Sequence, residues 1–272
     1  MEIKIILFLL KFIHSAESYS QVQFYVDQTI DSVDPSLNCD PSGPCTFTNA
    51  LNICLFSKTN YTDCIINMPE QTFMMNPTLP LVNVTKVNSG KNITILGGPK
   101  SSVACSSKYG CLHFISFSGP VKVDLHINIF NIVVSGFGKK SNLLDGGAIS
   151  INSFKSVHIS GVILSSNIGA NGGALSLKNC RTVNIRNTVF SANNASACGG
   201  ALYMASISSA NISLIQGSRN RAATGGFLCL FAANKNLNIA RATISGNSAT
   251  TSGGGVYLNK QSIRVSLSIY CE

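Results

Sequence analysis

Asp145 is the only carboxylate between Leu125 and Cys271. That single fact bounds the acid–base chemistry the second half of the chain could perform. Glycoside hydrolysis needs two carboxylates a few ångströms apart, and a calcium-assisted elimination needs a cluster of Asp with a basic proton acceptor. Upstream, Asp27, Asp31, Asp34, Asp40, Asp63, Glu70 and Asp124 are scattered; Asp31 and Asp34 are close enough in sequence to cooperate but fall in a loop near the N-terminal cap. His113, His126 and His158 have no partners at readable spacing, and His14 falls in the N-terminal apolar segment. No residue is marked as a nucleophile, although distant residues could still converge on a Ser-His-Asp arrangement. A metal site is not expected, because no pair of the ten cysteines has C-x-x-C spacing and His is scarce. No cofactor is expected either. Asp145 itself reads as the cap of a turn.

The residues flanking Asp145 show what would position any such group. Gly146-Gly147-Ala148-Ile149 recurs as Gly172-Gly173-Ala174-Leu175 and Gly199-Gly200-Ala201-Leu202, then more weakly at Gly225-Gly226 and Gly253-Gly254. The interval from each pair to the next is nearly constant, as a coiled repeat requires. After each pair, Ile149, Leu175, Leu202, Leu228 and Val256 align, and so do Ile151, Leu177, Met204, Leu230 and Leu258. The second column lies two positions beyond the first, which is the period of a strand. A second strand follows at Val157/Ile159, Val183/Ile185, Ala210/Ile212, Leu237/Ile239 and Ile263/Val265. A third ends at Leu164, Phe190 and Ile244, with Gly217 out of pattern. One repeat cannot bury its own apolar face, so repeats must stack. The expected fold is all-β: a right-handed single-stranded parallel β-helix, a solenoid with three short strands per coil and a small N-terminal capping helix.

Two further columns belong to the turns. Asn167, Asn193, Asn220 and Asn247 each stand shortly before a glycine pair. Stacked in a turn, their amides would donate to one neighbouring coil and accept from the other; a polar ligand-binding line is the functional alternative. The glycine pairs read as turns needing positive φ, not as a phosphate loop, since no helix pattern or Lys-Ser/Thr follows them.

The Gly-Gly-Ala-aliphatic element, paired with Phe190-Ser191-Ala192-Asn193, resembles the repeat of the chlamydial polymorphic outer-membrane proteins. Leu164-Ser165-Ser166-Asn167 and Ile244-Ser245-Gly246-Asn247 fit with an aliphatic residue in place of Phe. The resemblance covers residues 146–272 and implies a β-helix displayed at a cell surface, with adhesion as its role. Upstream the likeness is to β-helix proteins generally. Phe24-Tyr25-Val26-Asp27 looks like an opening strand, Pro44 to Leu51 like the capping helix, and Ile93 to Gly98 like an early coil.

The remaining signals concern location and partners. Lys4, the apolar run Ile5 to Leu10 and small residues at Ala16 and Ser18 read as a signal peptide over 1–18, too short to span a bilayer. Residues 19–145 then form the N-terminal cap and early coils with disulfides, and 146–272 the regular coils. Ten cysteines suit an oxidising compartment. Short-loop pairs would be Cys39–Cys45, Cys54–Cys64 and Cys105–Cys111, though connectivity stays open. Cys180, Cys198, Cys229 and Cys271 could be buried thiols, a link between coils, or a link to another chain. N-glycosylation sequons begin at Asn60, Asn83, Asn92, Asn194 and Asn211.

The formal net charge is +9, and the regular coils carry ten Lys or Arg against Glu272. Lys155 and Arg181, one repeat apart, would stack on one face and attract anionic glycans or acidic surfaces. Solvated charge that keeps a sheet soluble is the plainer account. Tyr203 and Tyr257 share an outward column with Cys229 and could hold a sugar ring or cover a neighbour. Nucleic acid is excluded by the secretory start and the lack of any recognition module. Ile269-Tyr270-Cys271-Glu272 aligns with Val189-Phe190-Ser191-Ala192, just short of the next ladder Asn. An uncapped coil there would mean a longer solenoid or self-association. The function expected is therefore a secreted or cell-surface structural or adhesion protein that binds glycan without turnover. The alternative is a polysaccharide-active enzyme, pectate-lyase-like or a glycosidase.

Overall fold

The computed structural model describes residues 20–26, 30–31, 39, 45–56, 61–75, 82–83, 90–105, 113–118, 124–138, 144–232, 234–259 and 264–271. The expected signal segment, Asp27, Asp34, Asp40, Asn60 and Cys111 lie outside them, as does the side chain of Asn83. The chain winds into a right-handed parallel β-solenoid of about six turns. Right-handedness is the sense in which a twisted strand packs back onto its own sheet.

Among the described residues every strand pairing is parallel and joins equivalent positions of successive coils. Ile149↔Leu175↔Leu202↔Leu228↔Val256 run through a seven-stranded sheet. Val157↔Val183↔Ala210↔Leu237 and Leu164↔Phe190↔Gly217↔Ile244 run through a fourteen-stranded one, here the long sheet. These side chains point inward and, with the earlier coils, form one core cluster from Val22 to Ile244. Strand alternation produces this, because every second residue of a strand faces the same side of its sheet.

The strands within a coil differ from expectation in one respect. In the later coils the second and third strands fuse into ten-residue strands, Thr182–Ser191, Ser209–Ser218 and Asn236–Ser245. Each bends at a left-handed residue, Asn187, Leu214 or Arg241, whose φ values are +48°, +54° and +54°. A separate four-stranded sheet then lies between the ladder asparagines and the glycine pairs, at Ile168–Asn171, Asn194–Cys198, Arg221–Thr224 and Ser248–Ser252. Its inward positions hold Gly169, Ala195 and Ala222, too small to raise an apolar signal.

The turns show why their residues recur. Asn167, Asn193 and Asn220 are fully buried. The Asn193 Oδ1 accepts from the Asn167 backbone N–H and Nδ2, both at 3.0 Å. The Asn193 Nδ2 donates to Asn220 Oδ1 at 3.0 Å and to the Leu164 carbonyl at 2.9 Å. Asn220 and Asn247 repeat the pattern at 2.9 Å. At the glycine pairs, Gly172 adopts φ +69°, and a Cβ on Gly173 would lie 2.1 Å from the Gly200 carbonyl oxygen. The first glycine serves the turn, and the second lets one coil sit on the next.

Helix α1 (Phe47–Phe56) closes the N-terminal end of the core. The Thr46 hydroxyl accepts from the Asn49 N–H at 3.2 Å and caps it. Phe47 stacks on Phe114 at 5.0 Å, and Leu51 and Leu55 are buried in the core cluster. Two disulfides fasten this end: Cys39–Cys45, and Cys54–Cys64, which ties the helix to the strand Tyr61–Asn67.

The last coil corrects the sequence register. Leu237↔Val265 and Ile239↔Leu267 replace the expected Ile263/Val265, because the preceding connection keeps the length it has one coil earlier. The strand then omits one position between Ile239 and Ala242, so Cys271, not Tyr270, continues the Phe190 column. Tyr270 faces solvent at 68% exposure.

Candidate functional site

The long sheet's outer face carries a line of hydrogen-bonding groups on its early coils. Inward Cys64, Ile93, Ile127 and Val157 are buried, so their neighbours must face out. Register then stacks Asp63↔Asn92↔His126↔Ser156, with Thr94↔Asn128↔His158 two positions further on. Asp63, Asn92, His126, Asn128 and Ser156, with Thr62 and Gly90, line a surface cleft of about 380 Å³.

The cleft is internally wired. Asn92 Nδ2 donates to Asp63 Oδ1 at 2.8 Å, and Asn128 Nδ2 donates to Asn92 Oδ1 at 2.8 Å and Thr94 Oγ1 at 3.1 Å. His126 Nδ1 lies 2.6 Å from the Ser156 hydroxyl, and its Nε2 lies 3.5 Å from Asp124 Oδ1. Lys155 Nζ sits 2.8 Å from Asp124 Oδ1 and 2.9 Å from Oδ2. The Lys155 hydrogen bond, with its charge and that of His126, holds the Asp124 carboxyl below its usual range despite some desolvation. Phe130 continues the outward line and meets His158 edge-on at 5.2 Å.

Asp124, His126 and Ser156 thus form the carboxylate–imidazole–hydroxyl chain that the sequence left open. Their order is unlike a nucleophilic triad, in which the hydroxyl faces Nε2 and the carboxylate Nδ1. Asp124 is committed to Lys155. The N–H groups of Lys155 and Ser156 both donate to the Leu125 carbonyl, so neither is free to stabilise an oxyanion. The arrangement presents these polar groups at the surface of the long sheet. Among the described residues there is no group of three metal-ligating side chains.

Other candidate residues are dispersed. Lys155 and Arg181 occupy adjacent coils beside the cleft, with the Arg181 N–H donating to Phe154 and the Thr182 N–H to Lys155. Arg181 and Arg186 are exposed and form no ion pair among the described residues. Asp145 accepts from the Asn171 N–H at 3.2 Å and Nδ2 at 2.8 Å, and pairs with Lys178. His113 Nε2 meets the Asp145 carbonyl at 3.0 Å, and burial lowers the His113 pKa against that contact. Asn92 sits half-buried at the start of the strand Asn92–Leu96 with its amide engaged, whereas Asn194 and Asn211 are exposed.

Tyr203 requires a correction. It is 7% exposed, packed in a satellite cluster with Ala205 and Cys229, and so presents no face to a sugar. Tyr257 borders that cluster, half-buried. Cys198 and Cys229 form a disulfide between coils; Cys105 is disulfide-bonded, and Cys180 is a buried free thiol.

The fold defines a parallel β-solenoid, with disulfides that suit an extracellular protein. Among the described residues no helix is long and apolar enough to cross a membrane. No protein-family model, curated protein or solved structure matches the chain. The likeness to the polymorphic outer-membrane protein repeat is accordingly one of motif alone.

Proposed function

We propose that this is a secreted or cell-surface β-solenoid that binds glycans, without turnover, through the long-sheet cleft. The observation that carries the reading is the outward column Asp63, Asn92, His126 and Ser156 with Asn128 beside it. Carboxylate, amide, imidazole and hydroxyl groups stand at strand spacing, about 4.8 Å, on a rigid surface. That is a set of donors and acceptors matched to a chain of hydroxyls. Arg181 and Arg186, on the coil next to Ser156, favour an anionic glycan and make binding sensitive to salt. Adhesion to an acidic, glycan-coated surface follows from such a face, in keeping with the motif resemblance.

A glycan array with the secreted protein tests this. Binding to uronate- or sulfate-bearing glycans is expected, weakened at least tenfold by Asn128→Ala and by the Arg181→Ala/Arg186→Ala pair. A protein that retains no glycan overturns the reading. Product analysis on each bound glycan tests the enzymatic alternative. Fragments or acyl groups released by the wild type and not by Ser156→Ala would replace binding with hydrolysis.

A further inference from the structure

On the seven-stranded sheet the outer face of the later coils carries rings in place of amides. One outward column runs Ser150, Ser176, Tyr203, Cys229, Tyr257, and the next runs Asn152, Lys178, Ala205, Phe231. Tyr203, Ala205 and Cys229 form a buried cluster separate from the solenoid core, with Cys198, Ala232 and Tyr257 packed against it. Phe231 lies on this cluster. Its ring stacks on Tyr203 with centroids 6.3 Å apart and planes at 27°, yet it remains 46% exposed.

The support beneath Phe231 is rigid. Lys178 Nζ stands 5.6 Å from the Tyr203 ring centroid and is itself paired with Asp145. The Cys198–Cys229 disulfide ties adjacent coils, joining the end of a strand of the four-stranded sheet to this face. Small Ala205 occupies the position between Lys178 and Phe231, which leaves room for the ring to lean onto Tyr203. A half-exposed aromatic held this firmly loses little freedom on contact with a ligand.

We propose that Phe231 is a stacking platform for a sugar ring, flanked by Tyr257 and by the Lys178–Asp145 pair. This is a second glycan contact, on a different sheet from the cleft. An aromatic face is electron-rich and attracts the polarised C–H face of a pyranose. The hydroxyl rim of that sugar would meet Lys178 and Asp145. The size of the patch selects the occupant. Phe231 is the one large apolar side chain exposed at the outward positions of this sheet among the described residues. A specific protein interface takes roughly 800 Å² from each partner. One framed ring fits one or two sugars and falls far short of that. The proposal rests on the glycan-binding reading for its ligand class, and on a separate face for its place.

The chain contains no Trp, so Phe231→Trp installs a single fluorescent reporter at the platform. The variant is titrated with neutral and uronate tetrasaccharides. A saturable change in Trp emission is expected with at least one sugar, and it persists when Asn128→Ala disables the cleft. By calorimetry, Phe231→Ala weakens wild-type binding of that sugar at least tenfold. Silent emission across the panel, with array binding that depends on Asn128 alone, overturns the platform and leaves the cleft standing. A signal that grows with protein concentration without sugar, and sediments as a dimer, overturns it in favour of a second copy. A sugar response surviving Asn128→Ala, in a protein whose array binding ignores the cleft, keeps the platform and removes the cleft.

Discussion

Phe227 occupies the space that Gly217 leaves in the core. A Cβ built on Gly217 would lie 2.4 Å from the Phe227 ring. In neighbouring coils the Gly217 column holds Phe190 and Ile244, and the Phe227 column holds Ala201 and Ala174. Bulk has moved from one wall of the coil to the other, and Phe227 meets Phe190 edge-on at 5.6 Å. Phe227→Ala is expected to cost about 3–5 kcal/mol by opening a cavity. Gly217→Phe alone overpacks the same space. The double variant restores the arrangement of the preceding coil and should cost clearly less than the two single changes summed. Urea denaturation of all four proteins measures that coupling, and strict additivity would refute the exchange.

The asparagine ladder makes a graded prediction. Removing the Asn193 side chain leaves the Asn167 N–H and the Leu164 carbonyl buried without their partners. Asn193→Ala should therefore cost about 2–4 kcal/mol, the range expected for stranding more than one buried polar group. Asn247 is only half-buried, so water can replace part of what Asn247→Ala removes, and its cost should be smaller. Equal losses in thermal unfolding would show that the ladder is not the source of the effect.

Stability should fall on mild acidification because of His113. Burial lowers its pKa in the folded protein, while the unfolded chain titrates near the ordinary value of about 6.5. Between those values the unfolded state binds more protons, so stability rises with pH and is lost as pH falls below about 6.5. His113→Gln should flatten the slope of the urea midpoint between pH 7 and 5. An unchanged slope would assign the acid sensitivity to other groups.

Cys180 is expected to be inert in the native protein. Its thiol is buried and its pKa is pushed up to about 11, chiefly by desolvation. The thiolate is the reactive species, so iodoacetamide at pH 8 should modify Cys180 only after denaturation. Peptide mapping by mass spectrometry reads this directly. Native labelling at Cys180 would contradict its placement.

The regular coils were readable because each has nearly one length. From Gly146 through Gly172, Gly199 and Gly225 to Gly253 the interval scarcely changes, and any inward column therefore finds its partners by counting. The cleft was hidden for the opposite reason. Asp63, Asn92, His126 and Ser156 stack one over another although the stretches of chain between them are unequal. Aligning Ile127/Ile129 with Val157/Ile159 would have put His126 opposite Ser156. The four-stranded sheet left even less trace, because Gly169, Ala195 and Ala222 form its inner wall. Tyr203 looked available because alternation reveals which side of a sheet a residue takes and says nothing about what covers that side.

The Cys198–Cys229 bond has a mechanical meaning. Drawn from its carboxyl side, a solenoid peels one coil at a time, each releasing its rungs at modest force. The covalent loop that this bond closes cannot lengthen, so a pulling trace should register a missing increment of about 100 Å, the extended reach of one coil's worth of chain. Added reductant would restore it. A protein built this way behaves as a tether with a stop in it.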